Sequence, residues 1–502
     1  MLVRCARIGF VNSGRGCYKS TLNYSSTSGN VNSVENEAAS SKSAKETSST
    51  DEKTSLESSA VPSSRLSRLF HYGSLAAGVG ISVASQGIQQ VAKGETPSWK
   101  DLILSDSNIN RITKKFSKMR GAALKIGQMM SFQDEKILPP QLYQILSKVQ
   151  NNANYMPIRQ LNRVMSTELD SIDWETKYFQ RFDKRPFAAA SIGQVHDAIL
   201  LDGTEVVVKV QYPGVKDSID SDLSNLLMLL TASSLLPKGL FLDKTIANAR
   251  KELKWECDYI REAQSLIQFE ELLQNDPTFV VPHVFQELTT NNIITMTKMK
   301  GYEIMKLPPN IQNDQKIKNF ISENIMRLTL LEIAQFKFMQ TDPNWANFLY
   351  NPTTNKLELL DFGASRDFSD EFIWNYRRLL TYAMLRDRKG VTEVSKTLGY
   401  LTGYESTAMV EAHVDSVMTL GEPFIKYNSN PDQMFDFSDQ TVSDRIRGNI
   451  KLMLNERLCP PPEETYSLHR KFSGIFLLCA KMDAQVRCSK LFDEIFAIHD
   501  RN

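Results

Sequence analysis

Apolar and polar positions follow different rhythms along this chain, and each change of rhythm marks a part of it. Residues 35–64 (ENEAASSKSAKETSSTDEKTSLESSAVPSS) hold almost no large apolar side chain, cannot bury enough surface to order themselves, and read as a linker. From 65 to 94 (RLSRLFHYGSLAAGVGISVASQGIQQVAKG) the run His71 to Ala92 is uncharged and long enough to cross a bilayer, yet built of Gly, Ala and Ser. Ala76, Gly80 and Ala84 give it a small-xxx-small spacing, and Arg65, Arg68 and Lys93 flank it. A weak membrane span, a helix lying on anionic lipid and a soluble packing helix all fit that pattern. Between Asp106 and Leu169 the recurrence is helical, with Ile112, Phe116 and Met119 four and three apart.

From 176 to 300, the β-like runs VVVKV, TFVVPHVF and NIITMTKM surround two helical stretches. One holds LLMLLTASSLL; the other is TIANARKELKWECDYIREAQSLIQFEELL. From about 310 the chain reads helical to its end, except for FLYNPTTNKLELLDFG, a hairpin with an Asn-Pro turn. The order predicts an α+β fold: a helical extension over 106–175, a small mixed lobe over 176–300 and a helical lobe over 301–502.

Composition changes this picture in two places. A net charge of +1 removes any whole-chain case for nucleic-acid binding, and six cysteines without a CxxC or a metal spacing read as free thiols. Before Glu35 there is no acidic residue, while Arg4, Arg7, Arg15 and Lys19 stand among Ser, Thr and Asn. That is the composition of a mitochondrial transit peptide over residues 1–34, and Arg4 and Arg7 break the only apolar core a secretory signal could use.

Candidate chemistry concentrates in QTDPNWANFLYNPTTNKLELLDFGAS, residues 340–365. Asp342 and Asn347 lie five apart and Asp361 follows Asn347 by fourteen, with the apolar strands NFLY and LELL between them. A hairpin on those strands lets distant residues meet at one metal ion. Protein kinases use these residue types in this order. An aspartate accepts or orients the proton of the attacking hydroxyl; an asparagine and a second aspartate are hard oxygen ligands that hold Mg²⁺ against ATP phosphates.

Upstream, FAAASIGQVH (187–196) lies on the kinase phosphate-loop pattern. Gly193 and Val195 stand where that pattern has its third glycine and its valine, but Ala188 and Ala190 replace the first two glycines, with Ala189 and Ser191 completing the loop. Because alanine at positive φ costs about 1–2 kcal/mol, the loop is expected to be a stiffer, more helical turn whose methyl groups restrain the backbone near the phosphates and suppress transfer to polypeptide. Lys209, sixteen residues beyond Gly193 at the end of a valine run, is the natural ligand for the α- and β-phosphates. Its acidic partner comes from KWECDYIREAQSL, which offers Glu256, Asp258 and Glu262. Asp258 and Glu262 fall four apart on one face of a predicted helix and call for cations opposite, Lys209 and Lys125 being the candidates.

Together these residues resemble the UbiB/ADCK family of atypical kinases, over roughly residues 106–500. The family's marks stand here as Lys125-Ile-Gly127-Gln128 (KxGQ), the alanine loop Ala188 to Ser191, Glu256-Cys-Asp258 (ExD), Asp342 to Asn347, and Asp361-Phe-Gly363. The leader, GSLAAGVG and NWANFLY look like the fungal mitochondrial branch tied to coenzyme Q synthesis. The resemblance implies a protein-kinase-like two-lobe fold with the KxGQ extension packed over the active site. It implies ATP and ADP binding with Mg²⁺ or Mn²⁺, and ATP hydrolysis in support of ubiquinone synthesis rather than phosphorylation of proteins in trans. It implies that Lys125 meets Glu256 and Asp258, that Lys209 pairs with Glu262, and that Met296, Thr297, Lys298 and Met299 form the hinge against adenine.

The setting it implies is the matrix face of the inner mitochondrial membrane. Enzymes of the coenzyme Q complex, anionic lipid and quinone-precursor lipids are the expected partners, and homo-oligomerisation stays open. Two alternatives share the fold: a kinase of a small molecule or lipid, such as a quinone precursor, and a nucleotide-binding scaffold without catalysis, which has no use for Asp342. The chain departs from ordinary kinases after DFG, where no A-P-E follows and GASRDFSDEFIWNYRR runs almost directly into a helix. Gln340 and Thr341, rather than His-Arg, precede Asp342.

Overall fold

The computed structural model describes residues 65–94, 105–119, 155–232, 242–427, 432–438 and 442–496, with a few isolated positions besides; the expected transit peptide, the linker and Lys125, Gly127 and Gln128 lie outside the described residues. The first lobe is built on an antiparallel sheet. Strands β1 (Phe179–Phe182), β3 (Gly193–Leu200), β4 (Glu205–Gln211) and β6 (Ile293–Thr297) lie side by side in that order, and the two-residue β2 (Ala188–Ala189) pairs with β3. The period-two side-chain alternation of a strand sorts the valine run of β4: Val206, Val208 and Val210 are fully buried on one face, and Lys209 emerges on the other.

The long helical stretch predicted over 245–273 is two helices, α5 (Leu242–Glu256) and α6 (Tyr259–Leu273). The break falls at Cys257 and Asp258 because Asp258 leaves the helical region (φ −108°, ψ 86°) and its Oδ1 accepts the Arg261 amide at 3.1 Å, capping α6. Asp258 and Glu262 therefore do not share one helical face as expected: the first is a cap and the second points inward from the next turn. The run TFVVPHVF also differs from expectation. Only β5 (Phe279–Val280) forms, since Pro282 has no amide to donate, and Val284 makes an isolated bridge to Met296.

The second lobe packs helices α7 (Gln315–Leu331), α8 (Asp370–Met384), α9 (Arg388–Thr397), α10 (Thr407–Gly421), α11 (Val442–Glu456) and α12 (Glu463–Lys481). Set into it are the hairpin β9 (Phe348–Asn351)/β10 (Lys356–Leu359), flanked by β7 (Tyr302–Glu303) and, in parallel, by β5. A second pair joins β8 (Phe338–Gln340) to β11 (Ser365–Asp367), with Gln340 opposite Ser365. Those two pairings bring the 342–347 loop and the 361–363 loop together. The described cysteines Cys257, Cys459, Cys479 and Cys488 are free thiols.

Residues 65–92 form one helix, α1 (Arg65–Ala92), which packs on α2 (Asp106–Met119) and α4 (Val215–Ala232), while α3 (Ile158–Glu168) lies against β4. Its inner face buries Tyr72, Leu75 and Val83, together with Arg68, whose guanidinium pairs with the equally buried Asp222 of α4. Its outer face carries Phe70, Ile81, Ile88 and Val91, each more than half exposed. Among the described residues no helix is long and apolar enough to cross a membrane.

Candidate active site

Lys209 is held where strand and helix cross. Both oxygens of Glu262, in the first turn of α6, accept from its Nζ at 2.9 Å, and Asp361 Oδ1 stands 3.8 Å away. The Tyr259 ring lies beneath the same ammonium at 5.1 Å. Burial pushes the Glu262 carboxyl from its ordinary 4.5 up to about 7, against the pull of Lys209. Burial also works against the Lys209 charge, yet Asp361 and Glu262 outweigh it and raise that amine well above its ordinary value. The site thus keeps a cation, steadied by two carboxylates of unequal depth. Of the three acidic candidates, Glu262 is the one that meets Lys209.

The alanine loop is a hairpin and not the helical turn expected from its composition. Ala188 faces Val195 and Ala189 faces Gln194 across β2 and β3, and the Ala190 amide donates to the Gly193 carbonyl at 2.7 Å. None of the alanines has a positive φ, so the loop adopts an extended path that alanine takes without strain. Gly193 is needed for space instead. A Cβ there would stand 2.6 Å from the Val210 carbonyl oxygen and 2.7 Å from the Tyr259 hydroxyl. Ser191, buried at the tip, donates to Glu256 Oε1 at 3.0 Å, so the ExD glutamate fastens the loop. Behind it, buried His196 contacts the Gln194 amide at 2.9 Å and the Asp183 carbonyl at 2.8 Å; burial pulls its pKa down to about 4 and keeps it neutral.

On the second lobe, Asp342 and Asn347 occupy one tight loop. Asp342 Oδ1 accepts the Asn344 amide, and Oδ2 accepts Asn347 Nδ2, both at 3.2 Å. That contact turns the Asn347 amide so that its oxygen faces away from Asp342. Asp361 has φ 55°, a left-handed conformation that a non-glycine residue keeps only when its surroundings impose it. A carboxylate and an amide oxygen on adjoining loops are the hard donor set that Mg²⁺ takes while keeping waters and phosphate oxygens for its other positions. Among the described residues no cluster of three or more His, Cys, Asp or Glu offers a rival metal site.

Met296 and Thr297 close β6, and Lys298 leaves the sheet with its amide on the Glu205 carbonyl and its Nζ paired with Asp197 at 2.6 Å. With Met299 they form the connection between the lobes. The clamp on that connection was not foreseen: buried Glu358 in β10 accepts the Lys300 and Gly301 amides at 2.9 and 2.7 Å and Asn351 Nδ2 at 2.8 Å. Its signal was present as the lone acid in the apolar run LELL. A second unforeseen residue, Arg261 of α6, donates to the carbonyls of Gly363 and Ser365 and stacks on Trp255 at 4.5 Å. One helix therefore holds both Lys209, through Glu262, and the segment after Asp361, through Arg261.

Sheet, inward glutamate, paired lysine and the Asp342–Asn347–Asp361 loops define a kinase-class phosphotransferase. Residues 148–395 match the ABC1 atypical kinase-like domain. The chain is 72% identical over 447 residues to the mitochondrial atypical kinase COQ8 of Saccharomyces cerevisiae, covering 89% of this chain and 88% of that one. It is 50% identical to the COQ8 atypical kinase of Schizosaccharomyces pombe (87% and 70% covered) and 44% identical to COQ8B of Danio rerio (88% and 70%). It belongs to the ABC1, or UbiB/ADCK, family of atypical kinases. Among solved structures, the Rv3197–erythromycin complex from Mycobacterium tuberculosis shares the fold, with a TM-score of 0.53 at 22% identity over 78% of this chain and 96% of that one.

Proposed function

We propose that this protein is a Mg²⁺-dependent ATPase of the kinase fold that supports ubiquinone synthesis at the matrix face of the inner mitochondrial membrane. The observation that carries the reading is the short path after the metal-binding loop. From Gly363 the chain passes through β11 and enters α8 at Asp370, capped by Ser369, with no segment on which a peptide substrate could be laid out. An intact phosphate lysine beside a missing peptide platform fits a transfer to water or to a small acceptor.

Asn347 and Asp361 would hold the metal. Bound Mg²⁺ supplies charge neutralisation for the β- and γ-phosphates. Lys209, fixed by Glu262, orients the α- and β-phosphates. The alanine hairpin covers them, and the connection from Met296 to Met299 borders the adenine. Asp342, its Oδ2 steadied by Asn347, receives the proton of the attacking hydroxyl or water. The mitochondrial setting is supported by the acid-free leader and by the names of the relatives. The membrane is supported by the outward apolar residues of α1.

One experiment separates the ATPase from its rival, a kinase acting on a quinone-precursor lipid. The full chain is incubated with γ-labelled ATP, Mg²⁺, anionic vesicles, polyprenylated phenol precursors and a general protein substrate, and the label is followed. Release as inorganic phosphate supports hydrolysis; label on the precursor establishes the lipid kinase and overturns it. Label on an added protein would sink both readings.

A further inference from the structure

Lys471 lies on the inner face of α12 among Leu468, Phe472 and Ile475, where a helix ordinarily places an apolar side chain. It is 1% exposed, and so is its ion-pair partner Glu332, 3.4 Å away. Burying two such charges is costly, and apolar residues of similar volume generally stabilise a core as well or better. The pair is therefore best explained by what it holds. What it holds is Gln340, the residue standing two places before the catalytic aspartate.

Gln340 is gripped at every polar atom. Its amide donates to Glu332 Oε1 at 3.2 Å, and its carbonyl accepts from Lys471 Nζ at 2.7 Å. Its side-chain Oε1 accepts from the same Nζ at 3.0 Å. That last bond decides which way the carboxamide faces. With Oε1 turned to the ammonium, Nε2 is left toward the 361–363 loop, and it donates to the Asp361 backbone carbonyl at 3.0 Å. Asp361 is the residue whose left-handed backbone needs external support. The turn holding Glu332 is itself a π-helical turn, Glu332–Phe336, a local distortion that often marks function.

We propose that Glu332, Lys471 and Gln340 form a buried positioning relay that fixes the Asp361 backbone, and with it the carboxylate that binds the metal. The relay ties metal affinity to α12, which also meets the 342–347 loop where the Gly474 carbonyl accepts from Trp345 Nε1 at 3.1 Å. It deepens the reading of Asn347 and Asp361 as metal ligands and rests on it. Partners behind metal ligands commonly change affinity tenfold or more when removed.

The test measures metal binding directly rather than turnover. Mn²⁺ is titrated into the full-length chain with ADP and free metal is followed by electron paramagnetic resonance, while ADP binding in EDTA is measured by calorimetry. Gln340→Met keeps the side-chain volume and removes the donor to Asp361; Lys471→Met/Glu332→Gln removes the charge pair without leaving one buried charge alone. Both are expected to weaken Mn²⁺ binding by about tenfold while changing metal-free ADP affinity by less than about twofold. Unchanged Mn²⁺ affinity in the folded Gln340→Met protein overturns the relay. So does an equal loss of metal-free ADP binding, which marks a merely structural role. Asp361→Asn runs alongside: if it too leaves Mn²⁺ binding unchanged, the metal site itself is wrong and the relay falls with it. If Asp361→Asn weakens Mn²⁺ and the relay variants do not, the relay alone falls.

Discussion

Both carboxylate oxygens of Glu262 stand 2.9 Å from Lys209 Nζ, while Asp361 reaches the same nitrogen only to 3.8 Å. One ammonium thus serves two acids, and the looser one is the residue proposed to hold the metal. Lys209→Met strips both of their partner and leaves Glu262 as an uncompensated buried acid. It should lower stability by about 3–5 kcal/mol in chemical denaturation and abolish nucleotide binding.

Glu262 also gives the site a pH dependence. Its pKa near 7 means that lowering the pH through neutrality protonates it and loosens Lys209, so nucleotide affinity should fall on the acid side of about 7. Glu262→Gln should weaken binding at pH 8 and flatten that acid limb. The effect on stability has the opposite sign. Folding takes up a proton at Glu262 between its ordinary 4.5 and about 7, so its contribution to stability is full below 4.5 and is lost as pH rises through about 7. A nucleotide-affinity profile without an acid limb in the parent protein would contradict this account.

Asp342 is predicted to act chiefly in the chemical step, besides accepting the bond that sets the Asn347 amide. Asp342→Asn preserves the size of the side chain and should cut phosphate release by roughly 10²–10⁴-fold while ADP binding persists. Turnover at the parent rate, measured by phosphate release, would remove Asp342 from its catalytic role.

The alanine hairpin yields a paired expectation. Gly193→Ala forces a methyl against the Val210 carbonyl and the Tyr259 hydroxyl and should cost about 1–3 kcal/mol in thermal unfolding, with weaker nucleotide binding. Ala190→Gly relieves no strain, because Ala190 has no positive φ, but loosens the turn by about 0.5–1 kcal/mol. It should change the preference between ADP and ATP and raise self-phosphorylation. A parent-like profile in both measurements would show that the methyl groups do not restrain the loop.

The sequence made the candidate site legible where chemistry is local. Strands β4, β9 and β10 are short apolar runs with turn residues beside them, and Asp342, Asn347 and Asp361 keep a spacing that their hairpin makes meaningful. The helix break at Asp258 was hidden, because Trp255 to Arg261 carries no glycine or proline and only the Asp258 cap on the Arg261 amide marks the start of the second helix. Strand β3 was hidden by His196, a polar residue that is buried because one ring nitrogen meets Gln194 of its own strand and the other the Asp183 carbonyl just beyond β1. Lys471 was invisible for a similar reason. A lysine in a helix reads as solvated until the chain brings Glu332 and Gln340 to it.

Asp258 is predicted to be worth about 1 kcal/mol as a helix cap, so Asp258→Ala should lower the unfolding midpoint while Asp258→Asn, which still accepts from the Arg261 amide, should largely keep it. Equal loss in both variants would mean that the carboxylate charge, and not the cap, is what matters there.

The Arg68–Asp222 pair gives α1 an attachment that does not depend on the chain. Its charges are shielded from water, so salt that dissolves surface ion pairs hardly touches it, and one half cannot leave without stranding the other. A protease cut just after Lys93 would therefore leave the severed helix seated on α4. Whatever grips the outer residues Phe70, Ile81 and Ile88 would be pulling on the lobe that holds Lys209, as a handle pulls on the tool to which it is riveted.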